Sequence, residues 1–206
     1  YFGSRLVMPN FSITGGAHEN RITLTAGFND RQNRQSGMLG MSAKFSRNAA
    51  NRRSVHIDIT PSHFTTATQQ WKLFSEGIDI DSTRISIRNL HIARPDQQLV
   101  IDGVASRLRS DSIRITLNNF DLSPLSALTH KWGYSARSIS NGYASIKSAL
   151  NNPEIEAHIR LDSISVNDIK VPPQEITSNW DFEANRARVI IRDRSSLDTV
   201  IRGYYQ

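Results

Sequence analysis

The chain has 206 residues, enough for one large domain or two small ones, but only 38% are hydrophobic and the mean hydropathy is -0.43. The net charge of +6 comes mostly from arginine and raises the question of nucleic acid or an anionic surface, while charged residues at 21% exclude a disordered polyelectrolyte. The absence of cysteine excludes disulfide scaffolds and thiolate metal sites, and no apolar run approaches the roughly 18 residues of a membrane-spanning helix.

Alternation with period two begins early and dominates the chain. "RITLTAGF" sets Ile22, Leu24, Ala26 and Phe28 on one face, against Arg21, Thr23 and Thr25. "RNAANRR", residues 47–53, is the nearest approach to a basic run and reads as a polar loop. "VHIDIT" sets Val55, Ile57 and Ile59 against His56, Asp58 and Thr60. "TATQQWKLF", residues 66–74, admits a weak helix. The alternation resumes with Ile78, Ile80, Ile85 and Ile87, then Leu99 and Ile101, then Ile113, Ile115 and Leu117. Ser123 in N-cap position, Pro124 at the first helical position and Leu125, Leu128 and Trp132 at helical spacing predict a short helix over 124–131.

Beyond it, "PEIEAHIRLD" sets Ile155, Ala157, Ile159 and Leu161 against Glu154, Glu156, His158 and Arg160. "ARARVIIRD" sets Ala187, Val189 and Ile191 against Arg186, Arg188 and Arg192, and Ile201 follows in "VIRGYY". Turn signals such as Asn29-Asp30, Asn141-Gly142 and Pro172-Pro173 separate these segments. The expectation is an all-β fold, a thin antiparallel sheet with one wet face and one apolar face.

The chain also repeats itself. "DSTRISIRNLHI" at 81–92 and "DSIRITLNNFDL" at 111–122 share Asp, Ser, Arg, Ile and Asn at matching places, and Gly-x-Ala-Ser recurs at Gly103 and Gly142. Such degenerate strand repeats point to an elongated assembly in which each unit packs against its neighbours. Within each copy the apolar parity flips, from Ile85 and Ile87 to Leu90 and Ile92, and from Ile113, Ile115 and Leu117 to Phe120 and Leu122. A regular strand would then turn half its apolar residues outward. A β-bulge restores the face, and asparagine tolerates the left-handed conformation that bulges use, so a bulge or bend is expected at Asn89 and Asn119.

Chemistry-bearing constellations are sparse. His56 and Asp58, with His63 nearby, are the only candidates for a metal, and they read as a polar outer face. The carboxylate pairs Glu154/Glu156 and Asp79/Asp81 read as solvated faces rather than a hydrolytic pair. No nucleophile elbow, P-loop or dinucleotide fingerprint occurs, so neither enzyme activity nor a cofactor is expected. The arginines are spread over alternating segments without aromatic interleaving, which argues against nucleic acid. Trp71, Trp132 and Trp180 lie far apart in sequence and suit packing better than a carbohydrate platform.

The succession of Trp71, "GIDIDSTRISIRNLHI", "QQLVIDGVAS", "DSIRITLNNFDLSPL", "NGYASI" and "NPEIEAHIRLDSISVND" resembles the C-terminal part of the TamB-type translocation and assembly proteins of the AsmA-like superfamily. The ending "SNWDFEANRARVIIRDRSSLDTVIRGYY" looks like the version found in Bacteroidetes. The likeness covers residues 70–206, while residues 1–69 share only the strand pattern and are read as a β-rich segment continuous with the rest. It implies a sheet curled lengthwise into an apolar trough, in a periplasmic part of an inner-membrane-anchored, envelope-spanning protein. The start at Tyr1 without a methionine fits a fragment of such a longer chain. The implied partners are phospholipid acyl chains and an outer-membrane barrel of the Omp85 type, in phospholipid transport between membranes and outer-membrane biogenesis. The alternating apolar residues named above, from Ile22 to Ile201, then become candidates for the lining of the lipid groove. Two other functions compete: a scaffold that assembles outer-membrane proteins by strand pairing, and an extracellular adhesin or carbohydrate-binding β-domain.

Overall fold

The computed structural model describes residues 10–30, 35–66, 69–122, 136–196 and 198–205. These residues form fifteen β-strands and no helix, and the strand pairings are antiparallel. The all-β, antiparallel expectation therefore holds. The helix expected over 124–131 lies outside the described residues. The weak helix over 66–74 is not formed: Gln69–Phe74 is a strand. Trp71 and Leu73 both reach one face of it by period two.

The chain divides into two compact units, 1–94 and 95–206. In the first, β1 (Ser12–His18), β2 (Arg21–Asp30), β3 (Gln35–Arg47) and β4 (Arg53–Thr66) are successive neighbours. Next comes one position shared by β5 (Gln69–Phe74) and β6 (Gly77–Asp81), and then β7 (Arg84–Arg94). In the second, β8 (Gln97–Ser106), β9 (Ser112–Asp121), β10 (Ala136–Lys147) and β11 (Glu154–Val166) follow in order. Both β12 (Ile169–Val171) and β13 (Gln174–Asp181) pair with β11, and β14 (Arg186–Asp193) and β15 (Thr199–Tyr205) complete the unit. Each unit is an up-and-down meander in which strands pair antiparallel with their chain neighbours.

Aspartates at strand ends organise several of these turns. Asp81 Oδ1 accepts the N–H of Thr83 at 2.7 Å and of Arg84 at 3.1 Å, and Asp193 Oδ1 accepts that of Ser195 at 2.7 Å. The hydrogen bonds from Thr83 hold the Asp81 carboxyl down at about 2, so it stays ionised as a turn cap. One member of the Asp79/Asp81 pair is thus fully employed in chain reversal.

Irregularities interrupt the strands where the apolar parity changes. Asn89 and Asn119 both have positive φ, 48° and 47°. Leu117 pairs with Gly142 and Phe120 with Ser140, so three steps along β9 match two along β10, with Asn118 and Asn119 opposite Asn141. The extra residue returns Phe120 to the face of Leu117. In the first unit the same switch passes from strand to strand. It occurs on β4 at Pro61–Ser62, opposite Leu39; at Ser75–Glu76, between β5 and β6; and on β7 at Asn89, where Ile87 faces Ile78 but Ile92 faces Leu73.

Gly103 and Gly142 explain the repeated Gly-x-Ala-Ser. Their φ values are +117° and +129°, and an added Cβ would lie 2.1 Å from the Ser112 carbonyl oxygen or 2.0 Å from that of His158. Each glycine lets a neighbouring backbone approach where a side chain would collide.

Little of the apolar surface is covered. The buried apolar side chains among the described residues are Trp71, Ala105, Leu117, Phe120, Ala187 and Ile190. Trp71 stacks on Phe64 with ring centroids 6.1 Å apart, and the Arg94 guanidinium lies 5.2 Å from its ring centre. Phe64 in turn faces Gly37, which faces Phe28, so an aromatic row closes one end of the apolar face of the first unit.

Candidate apolar binding face

Directly opposed residues in an antiparallel sheet share a face and stand about 5 Å apart, so register converts alternating sequence into lateral rows. In the first unit one row runs Ala17, Ile22, Ala43, Ile57, Ile78, Ile87 across six strands. Leu24, Met41 and Ile59 form the row on one side of it. Phe45, Val55, Ile80 and Ile85 form the row on the other. All the candidate residues between Ile22 and Ile87 therefore meet in three adjacent rows.

The second unit repeats the construction. Its longest row runs Leu99, Leu117, Gly142, Ile159, Ile176, Ile191, Ile201. Beside it stand Ile101, Ile115, Ala144, Ala157, Ser178 and Val189, and beyond those Gly103, Ile113, Ile146 and Ile155. Leu161 lies on the same face, between Ser140 and Gln174. Thus the candidates from Leu99 to Ile201 also share one face.

Among the described residues these side chains are mostly half-buried, with lateral neighbours on the adjacent strands. Ile22 is 38% exposed, Leu24 40%, Phe45 45% and Ile201 54%. Isolated exposed apolar residues are ordinary, whereas contiguous rows of them mark a surface that takes an apolar partner.

Several wall residues escaped the sequence reading. Ile176 lies between Ile159 and Ile191 in the longest row, yet its strand reads Ile-x-Ser-x-Trp, and Ser178 masks the period. Ile146 was hidden because Gly142 and Ala144 precede it at the same parity. Met41 and Ala43 sit in a glycine-rich, weakly apolar strand. The signal that finds them all is cross-strand register, which a single strand does not carry.

The opposite face is polar and internally paired. In the first unit the Arg21 guanidinium donates to Ser42 Oγ at 3.3 Å, and that hydroxyl donates to Asp58 Oδ2 at 3.3 Å. Asp58 Oδ1 lies 3.0 Å from His56 Nε2, His56 Nδ1 lies 2.6 Å from Asp79 Oδ1, and Asp79 binds Arg88. The bond to Asp79 raises the His56 pKa above 6.5, against the opposing effect of burial and with help from Asp58. Burial pushes Asp79 upward, but its bonds to Arg88 and His56 outweigh this and leave it below 3.8. His63 lies on β4 beyond the bulge, paired with Met38 and Lys72, and does not join this cluster. Among the described residues no group of three His, Asp or Glu is arranged to hold a metal ion.

The other carboxylate pair is similarly engaged. Glu154 forms an ion pair with Arg109, and Glu156 accepts from the Tyr143 hydroxyl at 2.9 Å. His158 Nε2 lies 2.7 Å from Glu175 Oε1, which holds the Glu175 carboxyl below its ordinary range. Val100, Ile139 and Ile190 are apolar side chains on this face by register, and Ile190 is buried, between Thr177 and Arg202. No family model, curated protein or solved structure matches the chain.

Proposed function

We propose that the chain is a non-enzymatic segment of a TamB-type, envelope-spanning protein whose apolar face shields lipid acyl chains in the periplasm. The observation that supports this reading is the continuity of the apolar rows, six and seven strands wide, beside so small a buried core. An acyl chain laid along such a face gains about 0.8 kcal/mol per methylene removed from water. No reactive group is required, and the polar face needs only to remain solvated. In this account the bulges at Asn89 and Asn119 keep successive apolar residues on one wall and bend it toward a trough. An anchor elsewhere in the full-length protein and an Omp85-type barrel complete the route for phospholipid between the two membranes.

The test is to place a carboxylate in the wall. Ile57→Asp and Ile159→Asp are expected to abolish binding of a fluorescent fatty acid while the strand signal in circular dichroism is retained. Equivalent changes on the wet face, Thr60→Asp and Thr177→Asp, are expected to leave binding intact. Undiminished binding by both wall variants overturns the reading.

A second reading has one observation in its favour. Among the described residues β1 and β15 each pair on one side only, which leaves edges able to add a strand from an unfolded outer-membrane protein. Proline substitutions in β1 would block that scaffold activity and leave fatty-acid binding unchanged.

A further inference from the structure

The basic stretch at 47–53 is not a featureless loop. Arg47 and Arg53 are directly opposed across β3 and β4, one step beyond Phe45 and Val55 on the apolar face. The apolar rows of the first unit therefore end in two facing guanidinium side chains. Like charges directly opposite each other destabilise a ladder, so a sheet built this way is relieved by an anion.

The turns that carry these arginines are locked together. Asn48 Oδ1 accepts the N–H groups of Ala50 and Arg52, both at 3.0 Å, and its Nδ2 donates to Asp81 Oδ2 at 2.9 Å. Arg52 donates to Thr83 Oγ1 at 3.0 Å, and Arg47 to the Asn51 carbonyl oxygen at 2.8 Å. The β3–β4 turn and the β6–β7 turn thus form one tip, which presents Arg47, Arg52, Arg53 and Arg84. Asp81 is the carboxylate within it, and its side chain is buried and occupied with Asn48, Thr83, the Arg84 backbone and the Arg84 guanidinium, whose Nε lies 3.9 Å from Asp81 Oδ2. Glu19 lies on the neighbouring β1–β2 turn, which is joined to β3 by a bond from Asn20 Nδ2 to the Phe45 carbonyl oxygen at 2.9 Å.

We infer that Arg47 and Arg53 form a phosphate-binding end to the apolar face, which makes its ligand a phosphate-bearing amphiphile. The inference rests on the acyl-chain reading above: the chain lies on the rows from Phe45 to Ile85, and the phosphate oxygens meet the guanidinium groups. Arginine suits this role because its planar fork binds two phosphate oxygens at once. A phosphate held by the amphiphile and a free phosphate offer the same oxygens, and separate titrations distinguish them.

Dodecyl phosphate, dodecyl maltoside and inorganic phosphate would be titrated below micelle formation and followed by calorimetry. Wild-type protein is expected to bind dodecyl phosphate at least about ten-fold more tightly than dodecyl maltoside. The Arg47→Gln/Arg53→Gln double variant should remove that preference and leave maltoside binding unchanged. A control double variant in the second unit, Arg160→Gln/Arg188→Gln, should keep the preference. Equal affinity for the two amphiphiles overturns the inference while the acyl-chain reading stands. Inorganic phosphate binding as tightly as dodecyl phosphate, or an equal loss in the control, also overturns it. Failure of both amphiphiles to bind overturns the acyl-chain reading itself.

Discussion

The backbone N–H of Asn119 donates to Asn141 Oδ1 at 2.7 Å, so the extra residue of the β9 bulge is tied by a side chain to the strand beside it. Asn119 also donates from its own side chain to the Asp96 carbonyl oxygen at 3.1 Å. The bulge is held from both flanks, and it keeps Leu117 and Phe120 on one face. Asn119→Ala should cost about 1–2 kcal/mol, from the left-handed φ and the lost side-chain bond. Asn119→Gly keeps the conformational freedom and should cost less than about 1 kcal/mol. Urea denaturation of the two variants checks this, and equal losses would remove backbone conformation as the reason for asparagine.

Gly142 carries a harsher constraint. Its φ of +129° and the 2.0 Å separation between an added Cβ and the His158 carbonyl oxygen combine strain with collision. Gly142→Ala is expected to destabilise the protein by roughly 3 kcal/mol or more. Gly203 has nothing within 4 Å of an added Cβ, so Gly203→Ala should be close to neutral. Thermal unfolding of the pair separates the two cases.

The His56 network gives stability a defined dependence on pH. The His56 pKa is raised in the folded state, so its contribution is fully present below about 6.5 and is lost as pH rises through the folded value. The Asp79 pKa is lowered, so its contribution is present above 3.8 and is lost as pH falls through the folded value. The network therefore stabilises most between those limits. The difference in urea midpoint between wild type and His56→Gln should be largest near pH 5–6 and shrink toward pH 8–9. A constant difference over that range would contradict the assignment.

Much of this architecture was legible because period two is a strong signal when Ile and Val fill the inward positions, as in "VHIDIT" and "RISI". The parity flips before Leu90 and Phe120 were equally visible, and with asparagine beside each flip they located the irregularities. The break at Ser75–Glu76, which splits one strand position into two short strands, left no such mark, whereas the one at Pro172–Pro173 was legible as a turn signal. Ile176 and Ile146 join the wall through register with other strands, which local pattern does not encode. The weak helix over 66–74 gives way to a strand in which Trp71 stacks on Phe64 and Phe74 packs against His91, cross-strand contacts that the local pattern does not encode. The ion pairs of His56 with Asp79 and of Glu154 with Arg109 are likewise long-range partnerships, invisible from the i, i+2 pairs that drew attention to them.

The most direct test of the lipid-shielding account is residue-by-residue photocrosslinking along β9 and β11 with a photoreactive side chain, read out as covalent attachment of phospholipid. The account predicts crosslinks at Ile113, Ile115, Leu117 and then Phe120 on β9, with the phase shifting at Asn119. On β11 it predicts crosslinks at Ile155, Ala157, Ile159 and Leu161, and none at Glu156, His158 and Arg160. Crosslinks absent from the apolar positions, or equal on both faces, would contradict it.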